Sequence, residues 1–130
     1  MRCRLAAFIL FLFAAAAPCS AAPLPAAARA EIEALLERLG GSACQFNRNG
    51  TWYGAAQAKD HLVSKLNYLV DREMIATAEQ FIELAASRSS MSGTDYLVQC
   101  RNGPSIPSAA WLTAELHALR KQHPAKATTH

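Results

Sequence analysis

The sequence predicts an α+β domain in which three or four helices pack on one side of a small antiparallel sheet. Several segments carry apolar residues at the i, i+3, i+4 spacing of a half-buried helix. Between them lie short runs with the alternation of strands, joined by strong turn signals. Two cysteines, Cys44 and Cys100, fall within these predicted strands. Together the patterns indicate one core between a helical layer and a sheet.

The chain begins with the three-part layout of a secretory signal peptide. A basic start precedes an apolar run over residues 5–17, and small residues follow over 18–22. The run is shorter than the roughly 20 apolar residues that span a bilayer. We therefore predict that residues 1–21 are a cleaved signal peptide, with cleavage after Ala21 or, alternatively, Ala22. The expected location is the bacterial periplasm or the secreted fraction, with no membrane span after cleavage.

Removal of this leader changes the charge balance of the protein. The full chain has 13 basic and 10 acidic residues, a net charge of +3. Arg2 and Arg4 leave with the leader, so 11 basic residues face 10 acidic ones. Such a balance is not typical of a nucleic-acid-binding surface.

The length of the chain predicts one domain. We predict a flexible Ala/Pro-rich start over 22–28, a single α+β domain over 29–123 and a disordered tail over 124–130.

Helices are predicted from apolar stripes and end signals. Gly40 and Gly41 are expected to end the first helix, with glycine in the left-handed position. Thr77 to Gln80 fit a capping box, in which the Thr77 hydroxyl accepts a hydrogen bond from the Gln80 amide and the Gln80 side chain reaches back to the Thr77 amide. The predicted helices cover about residues 25–39, 55–70, 77–86 and 108–122.

Strands are predicted on either side of a tight turn. Residues 44–46 and 51–53 flank a segment that ends in Asn49-Gly50, and Asn-Gly is a strong hairpin signal because both positions accept positive φ. Residues 96–100 form the clearest strand.

A structural disulfide is predicted between Cys44 and Cys100. Cys3 and Cys19 leave with the leader, and two thiols exported together usually pair. A Cys-x-x-Cys redox motif is lacking. If the two cysteines lie on neighbouring strands, the bridge stands beside the core, and loop entropy assigns it about 4 kcal/mol.

The histidines do not predict a metal site. His61, His117, His123 and His130 include no pair at i, i+4, and none stands at ligand spacing from a Cys or carboxylate. We expect no metal and no cofactor.

A serine-rich loop offers three interpretations. Ser87, Ser89, Ser90 and Ser92 precede Gly93. The favoured interpretation is turn chemistry and helix capping. The second is ligand binding by hydroxyls and backbone amides. The third is a serine nucleophile of a hydrolase or transferase, although the Gly-x-Ser-x-Gly elbow is missing.

The hairpin tip and the second helix supply charged candidates. Arg48 lies in the predicted turn, and arginine suits bidentate contact with carboxylate or phosphate. A solvated turn residue is the alternative. His61 and Lys65 lie one turn apart on the polar face of the second helix.

These residues belong to an ordered pattern. This chain resembles the YfeK-like family of small exported bacterial proteins from about residue 30 to 119. The residues that carry the resemblance are, in order, Phe46-x-Arg48-Asn49-Gly50, Tyr53, Ala58-x-x-His61-Leu62-x-x-Lys65, Thr77-Ala78-Glu79-Gln80-Phe81-Ile82, Ala86-Ser87-x-Ser89-Ser90-x-Ser92-Gly93-x-x-Tyr96 and Trp111-Leu112. The resemblance implies a periplasmic location and a single domain of unknown function. It implies no reaction, ligand or catalytic residue.

The sequence therefore predicts an exported protein and favours a non-catalytic binding or envelope-accessory module over an enzyme. Its partner would be an unknown envelope protein or a small ligand, and no nucleic acid. A serine-dependent hydrolase or transferase and a purely structural protein without a ligand are the alternatives. The candidate binding residues are Arg48, Asn49, His61, Lys65, Ser89, Ser90, Ser92 and Gly93.

Overall fold

The computed structural model describes residues 23–124, so the predicted signal peptide and most of the predicted tail lie outside the described residues. Residues 23–124 form four helices and a four-stranded antiparallel sheet, which confirms the α+β class. The helices are α1 Ala26–Gly40, α2 Ala55–Asp71, α3 Ala78–Phe81 and α4 Ser108–Gln122, and the strands are β1 Cys44–Arg48, β2 Thr51–Gly54, β3 Leu97–Cys100 and β4 Ile106–Pro107.

Helix α1 begins and ends within about a residue of the predicted positions, but the backbone conformation at its C-terminal end differs from the prediction. Residues 26–28, inside the segment predicted to be flexible, form its first turn, and Ala28 is buried. Gly41 follows the helix with φ −89°, so the predicted left-handed ending is wrong. Gly40 instead permits close packing, because a Cβ there would lie 2.7 Å from Cδ of Lys59 on α2.

The predicted hairpin is confirmed by its backbone. Asn49 and Gly50 have φ values of +53° and +85°, as a two-residue hairpin turn with positive φ at both positions requires. Strand β1 pairs with β2 on one side and with β3 on the other. The strand that leads into the hairpin tip is therefore an interior strand of the sheet.

The predicted disulfide is confirmed between β1 and β3. Cys44 lies directly opposite Cys100, and their Cα atoms are 4.0 Å apart. Cys44 is buried at the start of β1, whereas Arg48 ends the same strand. The bridge and the hairpin tip therefore stand at opposite ends of β1.

Strand β4 is an element that the sequence does not predict. Its two residues pair antiparallel with β3, Pro107 opposite Leu97. The Ser108 amide then donates to the Tyr96 carbonyl over 2.8 Å. This pairing places the start of α4 beside the sheet.

Helix α3 is short and continues as a π-helical turn over Ile82–Ala86. Thr77 caps α3 as predicted, because its hydroxyl accepts from the Gln80 amide over 3.1 Å. The Gln80 side chain reaches back one residue further than predicted, to the Ala76 amide over 2.7 Å.

The core lies between the helices and one face of the sheet. Phe46 and Val98 face it from neighbouring strands, and Phe46 meets Trp111 of α4 edge to face at 5.8 Å between ring centroids. The largest fully buried side chains are Phe81, Ile32, Leu35, Leu39, Leu112, Leu116 and Val98. Within residues 23–124, no helix combines the length and apolar character needed to cross a membrane.

Candidate functional site

The hairpin tip and the serine-rich loop contact each other through Asn49. Its amide nitrogen donates to the Ser89 hydroxyl over 3.4 Å, and its amide oxygen accepts from the Ser92 hydroxyl over 2.7 Å. These residues are about forty positions apart in the sequence. The structure thus brings together two segments that the sequence offers as separate candidates.

Ser89 organises the loop from within. It is buried, and its hydroxyl accepts from the amides of Met91 and Ser92 over 3.3 Å each. The Gly93 amide donates to the Ser89 carbonyl over 2.9 Å, with Gly93 at φ +69°. Turn chemistry therefore accounts for these contacts.

Ser90 differs from its neighbours. It is exposed, and it lines a shallow depression with Ser89, Gly93, Glu83, Leu84, Ser87 and Arg88. The hydroxyl of Ser87 donates to the Glu83 carbonyl at the end of the π-helical turn. Neither Arg48, His61 nor Lys65 lines this depression.

Arg48 lies against His61 and Tyr53. Its Nη1 is 2.6 Å from Nδ1 and 2.9 Å from Nε2 of His61, so the guanidinium can donate to whichever of the two nitrogens carries no proton. Its Cζ lies 5.3 Å from the centroid of the Tyr53 ring, within cation–π range. Two side chains from different elements therefore hold the guanidinium.

The environment of His61 favours the neutral imidazole. Burial is the largest cause that lowers its pKa, followed by the positive charges of Arg48 and then Lys65. A neutral ring can accept the Arg48 hydrogen bond, whereas a protonated ring would repel the guanidinium.

Lys65 is held one helical turn beyond His61. Its Nζ donates to the Ala85 carbonyl over 2.9 Å and to the Tyr96 hydroxyl over 3.1 Å. The Tyr96 ring also meets the His61 ring edge to face at 6.4 Å. His61 and Lys65 therefore meet at Tyr96, and Arg48 joins them through its contact with His61. We call Arg48, His61 and Lys65 the cationic cluster, after the charges of Arg48 and Lys65.

Carboxylates do not neutralise this cluster. Among the salt bridges within residues 23–124, none includes Arg48 or Lys65. By contrast, Arg38 pairs with Glu115 at 2.8 Å, and Arg120 pairs with both Glu31 and Glu79. Half-buried Arg48 thus lacks, within residues 23–124, the carboxylate partners that Arg38 and Arg120 have.

A cavity of about 190 Å³ opens beside the cluster. It lies between the hairpin, α2 and the start of α4, with Arg48, Tyr53, His61, Tyr96 and Ser108 among its polar lining. The apolar lining consists of Leu39, Phe46, Ala58, Leu62, Ala86 and Leu112. A pocket of apolar walls with a few converging polar groups is the usual form of a small-molecule site.

Two other kinds of site find less support. Among residues 23–124, no three His, Cys, Asp or Glu side chains are grouped to hold a metal ion. A serine nucleophile would need a base within hydrogen-bond reach. No hydrogen bond within the described residues joins a loop serine to His61, which contacts Arg48 instead.

Sequence reasoning missed Tyr53, Tyr96 and Ser108 as lining residues. Tyr53 faces the cavity from β2, and its neighbour Trp52 is 39% exposed on the other face of the sheet. Tyr96 was placed only in a predicted strand and in the family pattern, and its hydroxyl contact with Lys65 has no signal in local sequence.

The fold and cavity define a small disulfide-linked α+β domain with a largely apolar pocket that one arginine, Arg48, lines. A family model described as "Family of unknown function (DUF5329)" matches residues 26–120. The chain therefore belongs to this family of unknown function. Searches of curated proteins and of solved structures found no match.

Proposed function

We propose that the protein is an exported, periplasmic binding module that holds an anionic group of a small ligand at the cationic cluster. The observation that carries the proposal is Arg48, a half-buried guanidinium beside a cavity and without a carboxylate partner among residues 23–124. Desolvated cations strongly favour an anionic partner. A bound anion would supply the negative charge that no carboxylate among residues 23–124 brings to Arg48.

Asn49, Ser89 and Ser92 fit a supporting role in this proposal. Asn49 ties the hairpin tip to Ser89 and Ser92, so it holds the segment that carries Arg48. A preorganised site binds more tightly because less freedom is lost on binding. Ser90 and Gly93 line the separate depression at the serine-rich loop, and the proposal gives them no contact with the anion.

Export is the second part of the proposal. It rests on the leader-like sequence of residues 1–21 and on the resemblance to the YfeK-like exported proteins. The Cys44–Cys100 bridge agrees with an oxidising compartment. Mass spectrometry of periplasmic protein should give a chain that starts at Ala22 or Pro23, and an intact leader would contradict export by this route.

Native mass spectrometry can test the binding role. The exported protein is incubated with the small-molecule fraction of a periplasmic extract, and a mass increment is sought. We expect the increment in the unmodified protein and its loss in Arg48→Gln. Arg72→Gln is the matched control, because Arg72 also stacks on a tyrosine, Tyr68 at 3.7 Å, yet does not line the cavity.

The outcomes separate the proposal from its alternatives. An increment that survives in Arg48→Gln, or none in any sample, overturns the proposal. The serine-hydrolase alternative instead expects covalent labelling of the loop by an activity-based serine probe. The structural alternative expects Arg48→Ala and Ser90→Ala to change stability and leave ligand capture unaltered.

A further inference from the structure

We propose that the ligand is a small monocarboxylate whose apolar body, about the size of one benzene ring, enters the cavity while its carboxylate binds Arg48. This inference rests on the proposed function and adds the chemical class of the ligand. It follows from three properties of the pocket: its volume, the character of its walls and the free donors of one guanidinium.

The volume sets the size of the apolar body. The cavity measures about 190 Å³. An apolar protein cavity of about 150 Å³ holds one benzene molecule. A ring or a chain of about six carbons therefore fits, whereas a long fatty acyl chain does not.

The walls favour an apolar body over a sugar or a peptide backbone. Phe46, Leu62 and Leu112 contribute buried apolar surface, and Ala58 and Ala86 leave room between them. None of the residues that line the cavity is Asp or Glu. A neutral polar ligand would lose hydration against these walls without enough partners.

The guanidinium favours a carboxylate as the anionic group. Within residues 23–124, the hydrogen bonds of Arg48 use only Nη1, which leaves Nε and Nη2 for both oxygens of one carboxylate. Nζ of Lys65 already binds Ala85 and Tyr96. One free fork of donors matches a single negative charge better than a phosphate dianion.

Titration calorimetry of the exported protein at pH 7 can test the class with matched probes. Benzoate and hexanoate carry both the charge and the body. Benzyl alcohol lacks the charge, acetate lacks the body, and inorganic phosphate carries a different anion. We expect benzoate or hexanoate to bind at least about tenfold more tightly than benzyl alcohol and acetate.

Two variants locate the binding. Arg48→Gln should weaken benzoate or hexanoate about tenfold or more, and Arg72→Gln should not. Ala58→Leu should fill the cavity and weaken binding similarly, whereas Ala56→Leu, at an exposed position of the same helix, should leave it unchanged. If Arg48→Gln fails to fold, the comparison of Ala58→Leu with Ala56→Leu still shows whether the ligand occupies the cavity.

Each result has a defined consequence. Binding of benzoate or hexanoate that depends on both Arg48 and the space beside Ala58 supports the inference. Phosphate bound through Arg48, with both carboxylates no better than acetate, overturns the ligand class and leaves the proposed function standing. Failure of all probes, combined with no increment from periplasmic extract, overturns both.

Discussion

At the scale of single residues, the pairing of Arg48 with His61 links the candidate site to pH. The guanidinium donates to the imidazole, and Lys65 adds a second positive charge on the next turn of α2. Tyr96, from the segment before β3, faces both side chains. Protonation of His61 would therefore add a third positive charge beside those of Arg48 and Lys65.

We expect the unliganded protein to lose stability as pH falls below neutrality. Burial, Arg48 and Lys65 lower the pKa of His61 in the folded state. The unfolded chain takes up this proton near pH 6.5, before the folded chain does. Stability present above that pH is therefore lost as pH falls through the folded pKa. Urea unfolding at pH 7.5, 6.5 and 5.5 measures this slope.

A pair of variants assigns the slope to His61. His61→Gln should flatten it between pH 7.5 and 5.5, because glutamine does not titrate. His117→Gln changes an exposed ring on α4 and serves as the control. A slope that is unchanged in His61→Gln would show that other groups cause it.

Only part of the candidate site could be predicted from residue types. Arg48 could be singled out because arginine suits bidentate contact with an anion, although it ends β1 and does not lie in the predicted turn. His61 and Lys65 followed from helical spacing. Their meeting with Tyr96 could not be predicted, because it depends on how β3 aligns with β1 and α2, which local sequence does not encode.

At the scale of elements, Asn49 connects the β1–β2 turn with the serine-rich loop. Its φ of +53° is one that glycine also adopts without strain. Asn49→Gly should therefore keep the hairpin and remove the contacts with Ser89 and Ser92. Each of the two hydrogen bonds contributes about 1 kcal/mol, so amide exchange in the loop should accelerate between about fivefold, for one bond, and about thirtyfold, for both.

Hydrogen exchange at the amides of residues 91–93 measures this effect. Asn102→Gly, in the exposed turn after β3, is the matched control and should leave those amides unchanged. Acceleration throughout the sheet would mean that the hairpin itself had been lost. Unchanged exchange in Asn49→Gly would contradict the link between the two segments.

Elements with strong local signals could be predicted, and those set by tertiary pairing could not. Asn49-Gly50 and the periodic leucines of α2 indicate their structures without reference to the rest of the chain. Strand β4 has only two residues and exists because β3 offers an edge to pair with. The turn over Ile82–Ala86 falls within the predicted helix 77–86, but its π-helical form has no signal in the local sequence.

At the scale of the whole molecule, strand β1 connects stability with the candidate site. Its first residue, Cys44, carries the disulfide, and its last, Arg48, carries the charge that we assign to ligand binding. Phe46 lies between them, packed against Trp111. Because the core separates the two ends, removal of the bridge should act on unfolding more than on the pocket.

We therefore expect the double variant Cys44→Ala/Cys100→Ala to lose stability and to retain the cavity. A bridge across a loop of this separation, 56 residues, contributes about 2–4 kcal/mol, chiefly by restricting the unfolded chain. Urea unfolding with and without reductant measures the loss, and reductant should alter only the unmodified protein. Well below its melting temperature, the variant should bind every ligand that the unmodified protein binds, with the same dependence on Arg48. A loss of binding in a folded variant would show that the bridge also positions the hairpin tip.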